Sequence, residues 1–294
     1  MSKSKVYFSK EITPESLVKV YGALGVKLDG KVAVKLHSGE KGNQNYLQPE
    51  FVKPIINKLH ATVVECNTAY QGARNTTEKH KELMAEHGWS KHFDVDILDS
   101  TEEDLKLEIL GGEILPYTLV GGGIKNYNST LVLSHFKGHP MGGYGGALKQ
   151  LSIGFASSNG KAFIHSGGKV ADQKTVWKNT APQNDFLKAM AEAASAVAKH
   201  FEGKIAYINV MCNMSVDCDC CAVAEDPCMK DIGVLASLDP IALDQACIDL
   251  VYSSKDKGRD HLVERIESRN GLFTISCANN LNFGTTDYEL VNID

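Results

Sequence analysis

Five of the eight cysteines fall within a stretch of 17 residues, and this stretch is the sharpest chemical feature of the sequence. Thiolates gathered this closely repel one another unless a metal ion, an iron–sulfur cluster or a disulfide compensates their charge. We therefore expect a metal ion or an iron–sulfur cluster, with Cys218, Cys220 and Cys212 as ligands. The spacing matches neither a paired Cys-x-x-Cys zinc site nor a ferredoxin run. The roles of Cys221 and Cys228 are therefore left open: they are either further ligands or small residues of the core or surface.

A second concentration of reactive side chains runs from Ser134 to Lys149 and holds two histidines, two lysines and a glycine-rich turn. Free backbone amides at the start of a helix bind phosphate or carboxylate, and glycines let a ligand approach them. The turn is neither a Walker sequence nor a dinucleotide fingerprint. Its members are candidates for catalysis (His135, Lys149), for metal ligation (His139) and for binding a small anionic molecule (Lys137, Gly145, Gly146). His165 is another candidate to complete the metal site, although single histidines are more often structural.

A third cluster, residues 35–43, places an imidazole, a carboxylate and two ammonium groups around two glycines. Because it follows a predicted strand, it lies where α/β folds bind ligands. We expect His37 to be catalytic and Lys35, Glu40 and Lys41 to bind the anionic molecule. The alternative is a solvated loop between a strand and a helix.

Composition narrows the classes of function. The chain of 294 residues has a net charge of −5 and no basic block, which argues against nucleic acid as a partner. The longest apolar stretches are far shorter than the roughly 20 residues that cross a bilayer, so no membrane span is expected. The first residues carry positive charge without an apolar segment after it. We therefore expect a cytoplasmic protein, whose cysteines stay reduced.

Short β-rich runs alternate with helical patterns along the whole chain. Capping residues before prolines predict helices that begin near Pro14, Pro49 and Pro240. The alternation predicts an α/β fold with mainly parallel sheets and helices on both faces. The chain is expected to be one unit over 1–294, with two lobes over 1–128 and 129–294 as an option. The predicted strands are Lys5–Phe8, Lys31–Leu36, Thr62–Cys66, Val95–Leu98, Thr130–Ser134, Lys204–Met211, Gly233–Ala236 and Leu272–Ala278.

Three further segments carry predictions. Residues 157–183 show little periodicity, which predicts a long functional loop or a connection between lobes. Asp239 precedes a proline and is expected to cap a helix, and Asp244 to support the dipole of that helix. A further helix is expected over residues 184–200.

The motifs taken together resemble a prokaryotic family called domain of unknown function 362. They occur in order over most of the chain, and their joint occurrence is more specific than any one of them. The matching segments are residues 37–43, 49–52, 67–70, 72–74, 133–139, 145–149, 218–220 and 231–240.

The resemblance implies that Cys218-Asp219-Cys220 belongs to the core of the family. Arg74, which lies in one of the matching segments, is expected to bind the anionic molecule. Members of the family often carry a ferredoxin-like insert with two four-cysteine runs. The corresponding region here, residues 162–203, contains no cysteine. The resemblance therefore implies a short form without the electron-transfer insert, and it leaves the reaction open.

Three hypotheses follow. The first is a metal-dependent or iron–sulfur redox protein that acts on or with a small anionic molecule and has a redox protein as a further partner. The second is a metal-free enzyme in which a histidine is the acid-base group and a cysteine the nucleophile. The third is a non-catalytic accessory or scaffold protein for a redox partner.

Overall fold

The computed structural model describes residues 3–101 and 103–294 and is built around one eight-stranded sheet. Five neighbouring strands, in the order β4-β3-β2-β7-β10, are parallel. On the other side of β10 the order continues β11-β1-β12, where β11 is antiparallel to both of its neighbours and β12 runs parallel to β1. The predicted α/β fold with a mainly parallel sheet is confirmed.

The sheet strands and the four strands of two small hairpins have these bounds: β1 Ser4–Ser9, β2 Val32–Lys35, β3 Thr62–Glu65, β4 Val95–Ile97, β5 Leu105–Glu108, β6 Tyr117–Val120, β7 Ser129–His135, β8 Lys137–His139, β9 Gly143–Gly145, β10 Ile205–Met211, β11 Gly233–Ser237 and β12 Tyr288–Asn292. The hairpins pair β5 with β6 and β8 with β9.

The α-helices have these bounds: α1 Pro14–Ala23, α2 Pro49–Leu59, α3 Thr77–Glu86, α4 Trp89–His92, α5 Ala147–Lys149, α6 Ser158–His165, α7 Gln183–His200, α8 Pro240–Ser253, α9 Arg259–Ser268 and α10 Leu272–Asn280. A π-helical turn over Gln150–Gly154 follows α5 directly, and short 3₁₀ turns cover Gly122–Asn126 and Val176–Lys178. Within the described residues, none of the helices has the length and apolar character that a membrane span requires.

The central strands are apolar without interruption because both faces of the sheet are covered. Along β7, Val132 belongs to the hydrophobic core on one face, whereas Leu131 and Leu133 belong to the core on the other. Successive side chains of a strand point to opposite faces, so a strand between two layers of helices needs apolar residues at every position.

Two predictions about secondary structure are wrong. Residues Leu272–Ala278 form part of α10 instead of a strand, with Thr274, Ile275, Cys277 and Ala278 buried. A run of apolar residues this short fits both periods, and the buried face against α7 decides in favour of the helix. Residues 157–183 are not one long loop, because Ser157 caps α6 and accepts a hydrogen bond from the Gly160 amide.

The carboxyl ends of β3, β2, β7 and β10 lie side by side along one edge of the sheet. The chain passes from β2 to β3 and β4 on one side, while β7 and β10 extend the sheet on the other side of β2. The order therefore diverges between β2 and β7, and such a switch point leaves a crevice beyond the carboxyl ends of the strands. All three predicted clusters follow strands that end at this edge.

Candidate functional site

A cleft of about 760 Å³, part of it open to solvent, lies at this edge of the sheet. Its floor includes Lys35 and His37 from the end of β2 and Glu65 from the end of β3. The segment from β8 to α6 supplies most of the opposite wall, and Cys220 reaches the cleft from the loop after β10. Residues from all three predicted clusters therefore meet in one cleft.

The thiols of Cys218 and Cys220 and the imidazole of His139 form the sulfur centre of the site. Their potential ligand atoms all lie within 4.8 Å of one another, and the Cys220 sulfur lies 4.0 Å from Nε2 of His139. The loop that carries the cysteines is fixed by the Asn43 side chain, which donates to the carbonyls of Cys218 and Cys221. This group could hold a metal ion.

The two cysteines of the sulfur centre differ in ionisation. The hydrogen bond from the Cys220 thiol and the charges of Lys149 and Lys137 hold the pKa of Cys218 well below its usual value, against the effect of burial. Nζ of Lys149 lies 3.8 Å from the Cys218 sulfur. The contacts of Cys220 with Cys218 and Cys221 raise the pKa of Cys220. Of the two, Cys218, which is buried, is therefore the cysteine that ionises more readily, whereas Cys220 lines the cleft.

The orientation of the His139 ring decides what this histidine can do. Its Nδ1 accepts hydrogen bonds from the amides of Met141, at 3.1 Å, and Gly142, at 2.8 Å. Burial lowers the pKa of His139 to about 4, so the ring is neutral near pH 7 and its proton resides on Nε2. Nε2 thus faces the sulfur atoms as an N–H donor. To bind a metal through Nε2, the neutral ring would have to carry its proton on Nδ1 instead. That proton would then point at the N–H groups of Met141 and Gly142, which now donate to Nδ1.

His135 and Lys137 form a buried network with Asp219, the residue between the two cysteines. Nδ1 of His135 lies 2.9 Å from the Asp219 carboxylate, and Nζ of Lys137 donates to that carboxylate at 2.7 Å. His135 also donates from Nε2 to the Cys212 carbonyl at 2.6 Å. Burial opposes ionisation of Asp219, but the neighbouring His135 and Lys137 charges keep its pKa low. Both nitrogens of His135 are therefore used to hold the cysteine loop.

The charges at the ends of β2 and β3 are compensated within the protein. Lys35 donates to Glu65 and to the Leu36 carbonyl, each at 2.7 Å. Arg74 donates to Glu40 at 3.3 Å and lies 3.7 Å from Glu65. Burial disfavours the charged form of Glu65, yet the Lys35 charge and its cationic neighbours keep the pKa well below its usual value. The cations predicted to bind ligand at this end, Lys35 and Arg74, thus already hold carboxylates.

His37 lines both the cleft and a smaller adjoining cavity, which Lys149 also lines. Its Nδ1 accepts a hydrogen bond from the Gly39 amide at 3.1 Å, and burial lowers its pKa well below the usual value. The neutral ring therefore carries its proton on Nε2. This arrangement makes His37 a hydrogen-bond donor toward a bound molecule.

Four predicted residues lie apart from the sulfur centre or have another partner. Lys41 is exposed and pairs with Glu86 at the surface. The Cys212 thiol belongs to the hydrophobic core, where burial raises its pKa to about 12. Gly145 and Gly146 border a small cavity beside Lys137 and Lys149. The free amides expected after this turn, those of Ala147 and Leu148, are occupied by the Asp244 carboxylate at 2.7 and 3.0 Å.

Several residues of the site were not singled out from the sequence. Asp244 was expected to support its own helix but caps α5 across the fold. Glu65 ends a predicted strand next to the β2 cluster, and this position could have marked it as a partner for Lys35. Lys161 and Trp177 line the cleft from a segment predicted as loop, where no periodic signal pointed to them.

Residues 32–249 match the family described as Domain of unknown function (DUF362). The chain belongs to this family. The match covers most of the chain, and its range includes the residues of the sulfur centre, the cleft floor and Asp244. No curated protein matches the sequence.

Two solved structures show a weak similarity to this DUF362 chain. One is the lactate racemase apoprotein from Thermoanaerobacterium thermosaccharolyticum, with 14% identity, a TM-score of 0.44 and coverage of 84% of this chain and 57% of that chain. The other is a protein from Thermotoga maritima, with 10% identity, a TM-score of 0.43 and coverage of 91% and 58%. The chain thus spans a little over half the length of each. Similarity at this level does not establish a shared activity.

Proposed function

We propose that this DUF362 chain is a metal-dependent enzyme that acts on a small anionic molecule bound in the cleft. The observation that carries the proposal is the sulfur centre, where a buried thiolate, a thiol and an imidazole lie within 4.8 Å of one another beside the cleft. Thiolates buried together are stable when a soft metal ion shares their charge.

The position of each sulfur favours ligation over direct attack on a substrate. Cys218 is buried and is not one of the residues that line the cleft, so it is the less accessible of the two cysteines. Cys220 lines the cleft and would present a shared metal ion to that molecule. Two sulfur ligands leave coordination positions open, which is typical of catalytic centres and not of closed structural zinc sites.

The surrounding charges fit a thiophilic metal. Lys149 and Lys137 place positive charge near Cys218, and this disfavours a hard cation held only by electrostatic attraction. Metal–thiolate bonds have a strong covalent part, so zinc, copper(I) and iron tolerate such surroundings better. His139 acts in this proposal as a positioning residue, whose Nε2–H donates to sulfur. Iron–sulfur ligation would fit the same sulfur atoms if Cys221 contributed a third ligand.

The protein groups around the cleft fit an anionic molecule. The ammonium group of Lys149 faces a sulfur instead of a carboxylate, and that of Lys161 donates to the Ala156 carbonyl at 2.6 Å. These two lysines are the cleft cations without a carboxylate hydrogen-bond partner among the described residues. His37 supplies an N–H donor nearby. A bound metal would add Lewis-acid or redox chemistry at the same place.

The test is metal analysis of protein purified without oxygen and without chelators. We expect about one equivalent of zinc, copper or iron in the wild type, and less than a tenth of that in the double variant C218S/C220S. C228S is the matched control, because Cys228 is exposed and lies outside the sulfur centre. Equal metal content in all three proteins, or none in the wild type, would refute the proposal.

A second candidate is thiol chemistry without a metal. Two observations favour it: the His139 tautomer presents a proton to sulfur, and the Lys149 ammonium lies next to the Cys218 thiolate. Here Cys220, which the bound molecule can reach, would react after transfer of its proton to Cys218. Alkylation separates the two candidates. A free pair labels at Cys220 in untreated protein, whereas a metal-bound pair labels only after chelation.

A further inference from the structure

A second pair of a thiol and an imidazole lies at the surface, outside the sulfur centre. Cys228 is exposed, and its Sγ lies 3.1 Å from Nδ1 of His261, a distance at which the thiol can donate its proton to the ring. On the other side of the ring, Nε2 lies 3.7 Å from the Glu225 carboxylate. All three side chains are in contact with solvent. We call Cys228, His261 and Glu225 the surface triad.

Packing of the backbone fixes the position of the thiol relative to α9, the helix that carries the imidazole. Met229, the residue after Cys228, is buried in the hydrophobic core and anchors the loop. The Asp256 carboxylate accepts hydrogen bonds from the Lys230 amide in the loop, at 2.8 Å, and from the Gly258 amide before α9, at 3.0 Å. A Cβ on Gly258 would collide with the Cys228 carbonyl oxygen, so glycine is needed for this close approach. The contact therefore depends on more than two free side chains.

The carboxylate of the surface triad decides which nitrogen of His261 can receive the thiol proton. The negative charge of Glu225 favours a proton on Nε2, which leaves the lone pair of Nδ1 facing the Cys228 sulfur. The other contact of this thiol, with the Asp226 carbonyl, is longer at 3.8 Å. Transfer of the proton from Sγ to Nδ1 produces a thiolate, which is the nucleophilic form of cysteine. Glu225 acts through the ring and is a positioning residue.

We propose that Cys228 is a modification site at which His261 promotes exchange with small disulfides. Nδ1 of His261 takes the thiol proton while Sγ attacks one sulfur of the disulfide, whose S–S bond breaks. A mixed disulfide forms on Cys228, and the departing thiolate takes the proton from His261 and leaves as a free thiol. This proposal does not depend on the function proposed for the cleft.

The surface position of the triad favours disulfides over acyl compounds as reaction partners. Attack on a disulfide sulfur requires a nucleophile, an acceptor for its proton and access from solvent, all of which the surface triad provides. Acyl transfer creates an oxyanion and requires a water-excluded set of hydrogen-bond donors to stabilise it. An exposed thiol beside exposed imidazole and carboxylate groups is better suited to the first reaction.

The rate of mixed-disulfide formation tests the proposal, with bis(2-hydroxyethyl) disulfide as an uncharged probe and mass spectrometry of the peptide that contains Cys228. Near pH 7, we expect Cys228 to react at least about tenfold faster than N-acetylcysteine, and H261A to lower its rate at least about fivefold. H60N is the matched control, because His60 is an exposed histidine at the end of α2. It should leave the rate at Cys228 within about twofold of the wild type.

Substitution of Glu225 tests the positioning role. E225Q should lower the rate about two- to fourfold, whereas E225D, which keeps the charge, should retain more of the wild-type rate. Urea denaturation checks that each variant folds. Equal rates in the wild type and H261A, equal rates in E225Q and E225D, or a wild-type rate no higher than that of N-acetylcysteine would overturn the inference. Metal content should be the same in H261A and the wild type, so absence of metal from both would refute the metal proposal alone.

Discussion

The two halves of the cleft use charge in different ways. At the ends of β2 and β3, Lys35 and Arg74 are neutralised by Glu65 and Glu40. At the sulfur centre, the Lys149 ammonium group faces the Cys218 sulfur, and among the described residues no carboxylate shares that contact. In the first half the charges of Lys35, Arg74, Glu65 and Glu40 compensate one another, and we call these four residues the electrostatic frame. The second half retains groups that can change partner. This difference separates residues that hold the cleft from residues that perform its chemistry.

A second Cys–His contact shows that a short distance between a thiol and an imidazole is not sufficient to form a centre of this kind. Cys228 lies 3.1 Å from Nδ1 of His261, closer than Cys220 lies to His139. Yet Cys228 is exposed, and no second thiol accompanies it in a metal-sized group among the described residues. Burial, a second sulfur and nearby lysines distinguish the sulfur centre from this surface pair.

The largest expected effect on stability comes from a substitution in the electrostatic frame. Glu65→Gln leaves the Lys35 ammonium, which is 1% exposed, without its counter-charge. We expect a loss of about 3 to 5 kcal/mol in the free energy of unfolding, measured by urea denaturation. Glu86→Gln is the control, because it removes the exposed partner of Lys41 and should cost less than about 1 kcal/mol. Similar losses of stability in both variants would show that the buried ion pair contributes no more than the exposed one.

A smaller effect concerns the glycine-rich turn beside the sulfur centre, where Asp244 caps α5. Burial raises the pKa of Asp244 to about 6, from an ordinary value of 3.8, although hydrogen bonds from Leu148 and Asn209 limit the rise. The folded state therefore binds more protons than the unfolded state between these values, and stability falls as the pH rises through this window. We expect a fall of roughly 2 kcal/mol from this group between about pH 4 and pH 7.

Asp244→Asn tests this pH dependence. Asparagine keeps only one of the two acceptor oxygens, which lowers stability at every pH, but it does not titrate, so the stability of the variant relative to the wild type should improve as the pH rises. Urea denaturation at both pH values measures the difference. A constant difference between the two proteins would show that Asp244 does not titrate in this window.

The smallest expected effect on stability is at the sulfur centre itself. Cys218→Ser, measured with chelator present, should lower the free energy of unfolding by less than about 1.5 kcal/mol. Lys149 is only partly buried, so water can solvate its ammonium group when the thiolate is lost. Cys228→Ser should have no measurable effect. A loss as large as that of Glu65→Gln would mean that the sulfur centre is also part of the structural frame.

Sequence alone accounts for much of this arrangement. Continuous apolar strands predicted a sheet covered on both faces, and clusters after those strands had to meet at one edge. The Cys218-Asp219-Cys220 segment and His139 were thereby expected to converge. The pairing of Lys35 with Glu65 was missed, although the adjacent strand ends could have indicated it. The capping of α5 by Asp244 could not be predicted in the same way, because it depends on a contact between distant segments. The proton position on His139 is set by the Met141 and Gly142 amides, and no residue pattern encodes that geometry.

The most direct test of the central claim is titration of metal-free, reduced protein with cadmium, followed by the ultraviolet charge-transfer absorption of cadmium–thiolate bonds. Our account predicts a band that saturates at about one equivalent in the wild type and in C228S, and that is absent in C218S/C220S. A band that persists in C218S/C220S, or that disappears in C228S, would place the metal-binding thiolates elsewhere and contradict the account.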